Sequence, residues 1–241
     1  MENLTLDTTV KHNKSAYINK MFASIAGKYD LLNNLMTCGL HNEWKKDAIK
    51  TALKINKHPE KALDLCSGTG DLAIIINKLS SETEIICADN CQEMLDIADV
   101  KIAVLKKIKT ELSDVENLSF NNSSFDLITI GFGLRNLVNK EKCIENIYKI
   151  LKPGGIFVCI DLGHPNTIIW KDIYSLFFYK IIPKLGSIFA KNEEAYTYLP
   201  NSLKTWYTQE ELKNIILRKG FNKCTYKNYF GGVVASHVAL K

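Results

Sequence analysis

Three acidic positions and one Arg-Asn pair stand at the ends of apolar runs in this chain, and their types and spacing set the chemistry open to it. The first lies in "LDLCSGTGDLA", residues 63–73, where Gly68, Gly70 and Ala73 fall in the G-x-G-x-x-G/A arrangement of a nucleotide-binding turn. Asp64 precedes the loop and Asp71 opens the following helix, where a pyrophosphate needs bare backbone N–H groups and no competing anion. S-adenosylmethionine instead carries a sulfonium and an ammonium, cations that two carboxylates can accompany while the glycines admit the backbone close to the ligand. The other use of the loop is a tight turn, with Asp71 favouring the helix dipole.

Asp89 closes the next apolar run in "ICADN", where an acceptor-only carboxylate can take both hydroxyls of a ribose or cap the helix "CQEMLDIA". Asp114 follows a third run, placed to accept from an adenine amino group or to sit solvated in a loop. At 132–136 the chain reads "FGLRN". Arg135 stays protonated and is no base, but it can stabilise a developing negative charge, with Asn136 donating or accepting beside it. The plainer reading makes this pair an ion-pair partner and a helix cap.

These residues need a scaffold that brings strand ends together. Residues 15–55 carry helical periodicity interrupted at "TCGLHNE"; from residue 61 strand and helix alternate through "KALDLCSG", "LAIIINKLS", "EIICAD", "QEMLDIADVKIAVLKK", "KKIKTELSD" and "SFDLITIG". A helix over 140–151 closes at "KPGG", and "IFVCIDLG" is the next strand. Such βαβ alternation requires a mostly parallel, doubly wound α/β sheet that binds ligands beyond the carboxyl ends of its strands. A helix at 208–219 and two strands around "FGG" complete the chain as an antiparallel edge hairpin.

With 241 residues, 46% apolar and 24% charged, one ordinary globular domain is expected, and the +5 charge is spread rather than gathered into a nucleic-acid footprint. The seven cysteines are odd in number and lie mostly in apolar runs, which reads as reduced core thiols without a metal set. "MENLTLDTTVKHNKSAY" has neither a signal-peptide core nor a transit-peptide composition, so the mature chain is expected to start there. No apolar run reaches about 18 residues, so any membrane contact is peripheral.

The chain resembles the ubiquinone/menaquinone-biosynthesis C-methyltransferases, a class I S-adenosylmethionine-dependent family. The likeness runs from "MFASIAGKYDLLNNLMTCGLHNEWKK" through the loop, "ADNCQEML", "FDLITIGFGLRN" and "YKILKPGGIFVCIDLGHP" to "YTYLPNSL" and "GGVVASHVALK". It implies a seven-stranded sheet and one domain over 1–241, with 1–58 a helical substrate-side segment and 59–241 a core carrying an apolar insertion at 165–205. It also implies cofactor contacts at Thr69, Asp89, Asp114 with Val115, and Gly131, which join Asp64, Gly68 and Gly70 from the loop reading. This chain departs from the family pattern at Gly131, often Ser, at Asp114-Val115, often Asn-Ala, and at "DLG", often Glu-x-Ser.

The implied substrate is a lipid-tailed quinol, a demethylnaphthoquinol or alternatively a benzoquinol. A quinone ring is electrophilic, so a cationic methyl donor alkylates it only after reduction, and the ring proton must then leave. Arg135 and Asn136 would steady the phenolate, with Tyr29, Asp30, Asn33 and His41 on the opposite wall. His41 is the direct proton acceptor and Tyr29 a relay through water, unless His41 caps or packs and Tyr29 closes the core. His164 and His237 are read as structural. The aromatic section 168–190 could be core, a lining for the tail, or a surface resting on the bilayer. Beyond the quinol, the expected partners are a membrane surface and a second copy of the chain, with no nucleic acid, in the cytoplasm or an equivalent reducing compartment such as an organelle matrix or stroma.

Overall fold

The computed structural model describes residues 2–165, 202–203 and 205–241, with side chains from residue 14 onward. The aromatic section 168–190 lies outside the described residues.

Two helices lead the chain, α1 (Glu2–Thr37) and α2 (Leu40–Ile55). They part at Cys38 and Gly39, which both take left-handed backbone with φ of 50° and 77°. Two such residues in a row reverse the chain, and the Gly39 N–H closes the turn on the Asn34 carbonyl at 3.0 Å. Along α2, His41, Lys45, Ala48, Ile49 and Ala52 form one buried stripe at helical spacing.

The sheet follows. Its strands are β1 (Lys61–Leu65), β2 (Glu84–Asp89), β3 (Ile108–Leu112), β4 (Phe125–Gly131), β5 (Leu151–Leu162), β6 (Lys223–Tyr229) and β7 (Val234–Leu240), in the order β3-β2-β1-β4-β5-β7-β6. The first five are parallel, and β7 runs antiparallel between β5 and β6. Helices α3 (Asp71–Leu79), α4 (Gln92–Ile102), α5 (Lys140–Ile150) and α6 (Gln209–Arg218) connect or follow the strands. The strand order reverses between β1 and β4, so the connections leaving their adjoining carboxyl ends run to opposite sides and leave a crevice there.

Alternation along the strands builds two cores. Leu63, Leu65, Ile128, Ile130 and Phe157 face Ile144 and Ile147 of α5 and Leu212 and Ile216 of α6. Ala62, Ile85, Leu127, Val158 and Ile160 face Ile49 and Ala52 of α2 and Ile76 of α3. Asp64 and Thr129 share the second face as a polar pair within it.

One expectation needs correcting. "KPGG" does not cap α5: Leu151 is already extended and pairs with Phe125, so Lys152–Gly155 lies inside β5, where the register shifts. Gly154 takes φ 77° there and donates its N–H to the Lys241 carbonyl at 3.0 Å, which satisfies the backbone that the irregularity frees. All seven cysteines are free thiols. Among the described residues no helix is long and apolar enough to cross a membrane.

Candidate active site

The crevice at the reversal point is shaped by two left-handed non-glycine residues. Cys66, just beyond β1, has φ 52°, and Phe132, just beyond β4, has φ 58°; neither is a residue type that takes this backbone readily. They are held by close packing between the two strand ends. A Cβ on Gly133 would sit 2.4 Å from the Cys66 Cβ, and one on Gly131 would sit 2.6 Å from the Leu72 Cδ1. The resulting cleft of about 660 Å³, open mouth included, is lined by Cys66, Gly68, Asp89, Gly131, Gly133 and Asn136 from the sheet edge and by Asn19, Phe22 and Tyr29 from α1.

Asp89 sits where expected. It is nearly buried and faces the cleft, its Oδ2 accepting from the Gly68 N–H at 2.8 Å and its Oδ1 from the Cys91 N–H at 3.0 Å. Burial raises its pKa against the pull of these backbone donors. It is not the helix cap, because Cys91 occupies that position and makes no side-chain cap bond. Each carboxylate oxygen still has acceptor capacity toward a ligand. Gly68 and Gly131 also face the cleft. Gly70 lies against Ala98 of α4, where an added Cβ would meet the Ala98 Cβ at 3.4 Å, so it serves helix approach and a left-handed cap.

The two carboxylates flanking the glycine loop differ from the expectation of open anions. Asp64 is buried and accepts from the Thr129 hydroxyl at 2.6 Å, and burial pushes its carboxyl up to about 7 despite that bond. Burial would raise Asp71 too, but Lys45 at 2.8 Å and Lys101 at 2.6 Å outweigh it and hold the carboxyl at about 2. Asp71 is thus already neutralised by lysines from α2 and α4. The sequence-based case against a diphosphate treated that charge as free, and it loses this part of its support.

Thr69 donates its hydroxyl to Asp30 Oδ1 at 2.6 Å and accepts from Lys101 at 3.1 Å, and it does not line the cleft. Asp114 is an exposed turn residue, accepting from the Glu116 N–H at 2.9 Å and the Asn117 amide at 2.6 Å. Val115 is buried in the core. The cleft residue in this segment is Glu116, whose carboxylate accepts from the Val138 N–H at 2.7 Å and the Asn139 amide at 3.1 Å. Asp114 spends both oxygens on its own turn, and in this segment it is Glu116 that reaches the cleft.

Of the four expected catalytic residues, Tyr29 and Asn136 line the cleft. Burial raises the Tyr29 pKa, while its hydrogen bond to Asn33 and the Arg135 charge pull it down. Arg135 lies behind the surface: its Nη1 donates to Asp161 Oδ1 and to the Phe132 carbonyl, both at 2.6 Å, and its backbone N–H donates to Asp161 Oδ2 at 3.2 Å. This buried ion pair fixes the turn that presents Asn136. His41 is buried within α2, its Nε2 3.1 Å from Asn34 Oδ1, and burial with Lys45 beside it lowers its pKa to about 4. It does not line the cleft. Asp30 and Asn33 stand on α1 but do not line the cleft wall expected of them, Asp30 being engaged by Thr69 and Lys101.

His164 and His237 sit in the structural positions read for them. His164 Nε2 is 3.0 Å from the Trp206 carbonyl, and the buried His237 Nε2 is 2.8 Å from the Gln209 carbonyl.

Of the α1 residues that line the cleft, Tyr29 alone was expected there. Ser15, Ile18, Asn19, Phe22 and Tyr29 all face the cleft, and their spacing of three, four and seven marks one helix stripe. That stripe mixes polar and apolar types, so it shows no hydrophobic periodicity to find; the signal was its continuity with Tyr29.

A model of the ubiE/COQ5 methyltransferase family matches residues 9–241. The chain is 37% identical over 235 residues to the ubiquinone/menaquinone biosynthesis C-methyltransferase UbiE of Rickettsia prowazekii, covering 95% of this chain and 94% of that one. It is 35% identical over 229 residues to the demethylmenaquinone methyltransferase of Staphylococcus epidermidis, with the same coverage. Among solved structures, a SAM-dependent methyltransferase from Thermotoga maritima superposes with a TM-score of 0.64 at 17% identity, over 92% of this chain and 99% of that one. The [4+2]-cyclase SpnF does so at 0.65 and 14%, over 93% and 94%. At such identities the structural likeness carries the fold alone, and a cyclase among the neighbours shows why.

Proposed function

The chain belongs to the ubiE/COQ5 methyltransferase family, and from that premise we propose that it methylates a ring carbon of a lipid-tailed demethylnaphthoquinol. The methyl donor is S-adenosylmethionine. When bound, it supplies an electrophilic methyl group on a cationic sulfur. The residues present fit it. Asp89 offers acceptor-only oxygens to the ribose hydroxyls from the cleft wall, and Gly68 and Gly131 let backbone approach there.

The observation that carries the acceptor side is one shared cleft: Asp89 and Gly68 at one part of its wall, Tyr29 and Asn136 at another. Reduction of the acceptor ring places a hydroxyl whose electron density reaches the neighbouring carbon, and that carbon must be held about 3–3.5 Å from the transferring methyl. Tyr29 and Asn136 orient the hydroxyl by hydrogen bonding. Arg135 acts from behind: it holds the Phe132 carbonyl and so the Asn136 position, and its charge favours the phenolate form. His41, buried outside the cleft and with its pKa lowered to about 4 by burial and the Lys45 charge, does not reach the ring, so the ring proton leaves by way of the cleft-lining groups.

One assay tests the reading. Labelled S-adenosylmethionine is offered with demethylated naphthoquinol and benzoquinol under reducing and oxidising conditions, and the products are identified. C-methylated naphthoquinol from the reduced acceptor is expected; benzoquinol as the better acceptor would reassign the head group, and equal turnover of oxidised rings would overturn the chemistry.

A membrane surface is the proposed source of the tail. Leu31 and Leu35 of α1, Leu40 of α2 and Phe230 are exposed by 55, 46, 38 and 45%, apolar side chains that suit an interface. Co-sedimentation with liposomes, lost on Leu31→Ser with Leu35→Ser, is the expected result; undiminished co-sedimentation of this double variant would remove these side chains from the contact.

A further inference from the structure

An ammonium has three N–H donors, and those of Lys101 are used on three separate elements. Asp71 Oδ1 of α3 lies at 2.6 Å, Asp30 Oδ2 of α1 at 2.8 Å, and Thr69 Oγ1 of the glycine loop at 3.1 Å. Thr69 in turn gives its one proton to Asp30 Oδ1 at 2.6 Å, so Lys101, Asp30 and Thr69 close a triangle. The second oxygen of Asp71 takes Lys45 of α2 at 2.8 Å. We propose that Lys101 is a positioning residue: with Asp30 it latches α1 across the cleft and sets the direction of the Thr69 hydroxyl. The part of this concerning cofactor rests on the methyltransferase reading above.

The plain use of a lysine in the last turn of α4 is to satisfy the helix dipole. That use keeps the ammonium near the helix's own final carbonyls, whereas Lys101 reaches partners 30 and 71 residues away in sequence. Burial would lower its pKa, and Asp71 with Asp30 raises it instead, so the ammonium stays charged.

The latch adds to the apolar anchors of α1, whose Met21 and Leu32 are buried in the main core with Phe22, Ile25 and Met36 packed beside them. Besides Asp30, α1 is tied to the α4 side by Asn19, which donates to the Asn90 carbonyl at 2.7 Å, and by a small patch where Ala26 meets Cys91 and Met94. Its Leu31 and Leu35 are exposed. Because α1 supplies one whole wall of the cleft, its release exposes the cofactor's place and its return excludes water. Lys101 thus couples retention of the cofactor to the position of the N-terminal helix.

The test uses the full chain, with S-adenosylhomocysteine as the probe. Lys101→Met, Asp30→Asn and the double variant are compared by calorimetry and by amide exchange along 15–30. Each single change should weaken binding roughly tenfold, the size of a lost charge-assisted bond, and speed exchange in α1 but not in β1, β4 or β5. The double variant should bind no more than about twofold worse than either single one, since both break one triangle. Lys101→Arg, which keeps the charge, should recover part of both readouts. Weakened binding with unchanged α1 exchange, or fully additive losses, would overturn the latch. If Lys101→Met does not fold, Asp30→Asn carries the same comparison. A wild-type chain that ignores S-adenosylhomocysteine would sink the methyltransferase reading, while the exchange arm would still report on the latch.

Discussion

The ends of β1 and β4 meet at Cys66 and Gly133 and each begins with a left-handed residue, yet they treat charge in opposite ways. Beyond β4, Arg135 and Asp161 form a dry pair with side chains only 6 and 3% exposed. Beyond β1, Lys101, Asp30 and Asp71 form a chain of part-exposed charges, 26, 36 and 20%, that crosses three helices. A buried pair is costly to break and fixes shape; a half-solvated network is cheap to break and suits parts that separate. One strand end is built to stay and the other to let go.

The largest effect should come from breaking the dry side. Arg135→Ala leaves Asp161 buried without its cation and should cost about 3–5 kcal/mol in urea unfolding. Arg135→Met with Asp161→Leu should recover most of that stability but not methyl transfer, because the Phe132 carbonyl and the Asn136 turn lose their donor. A loss under about 1 kcal/mol for the single variant would erase the contrast between the two ends.

The pair of carboxylates around the glycine loop sharpens the contrast with pH. The native pKa of Asp64, about 7, lies above the usual 3.8, so its contribution is full below that value and is lost as pH rises toward 7. For Asp71, held at about 2, the contribution is present above 3.8 and lost as pH falls toward 2. At pH 8, Asp64→Asn should therefore raise unfolding free energy by up to about 4 kcal/mol and Asp71→Asn should lower it by about 2 kcal/mol. At pH 5 the Asp64 change should be close to neutral. Unfolding curves for both variants at the two pH values check this; destabilisation by Asp64→Asn at both would contradict the assignment of a neutral buried carboxyl.

The smallest expected effect compares two glycines. Gly133→Ala meets Cys66 through its Cβ, close to the backbone, and should cost about 1–3 kcal/mol. Gly131→Ala meets only the flexible end of Leu72 and should cost less than half as much. Melting temperatures of the two variants suffice, and equal losses would show that the strand ends are not locked at Cys66.

What was legible in the sequence is what the backbone decides locally. Strand, glycine turn and helix at 61–79 follow from composition, and Asp89 lands in the cleft because the last residue of a strand has little freedom in where it points. What was not legible is pairing across long separations. Lys45 and Lys101 reach Asp71 from 26 and 30 residues away, and Asp161 reaches Arg135 from 26, distances at which no periodicity carries information. Asp114 and Glu116 show the same limit at short range: the carboxylate that looked placed for a ligand satisfies its own turn, and the one two residues on faces the cleft.

Cys66 and Cys91 both border the cleft. Burial drives the Cys66 thiol well above its usual range and the Cys91 thiol up to about 11, so at neutral pH both sulfurs keep their protons and are poor nucleophiles. A quinol that loses two electrons in place becomes a quinone, an electrophile to which thiolates add. By keeping its nearest sulfurs protonated, the cleft resists arylation by the oxidised form of the acceptor proposed for it, and the same desolvation that packs the strand ends protects the site from its own chemistry.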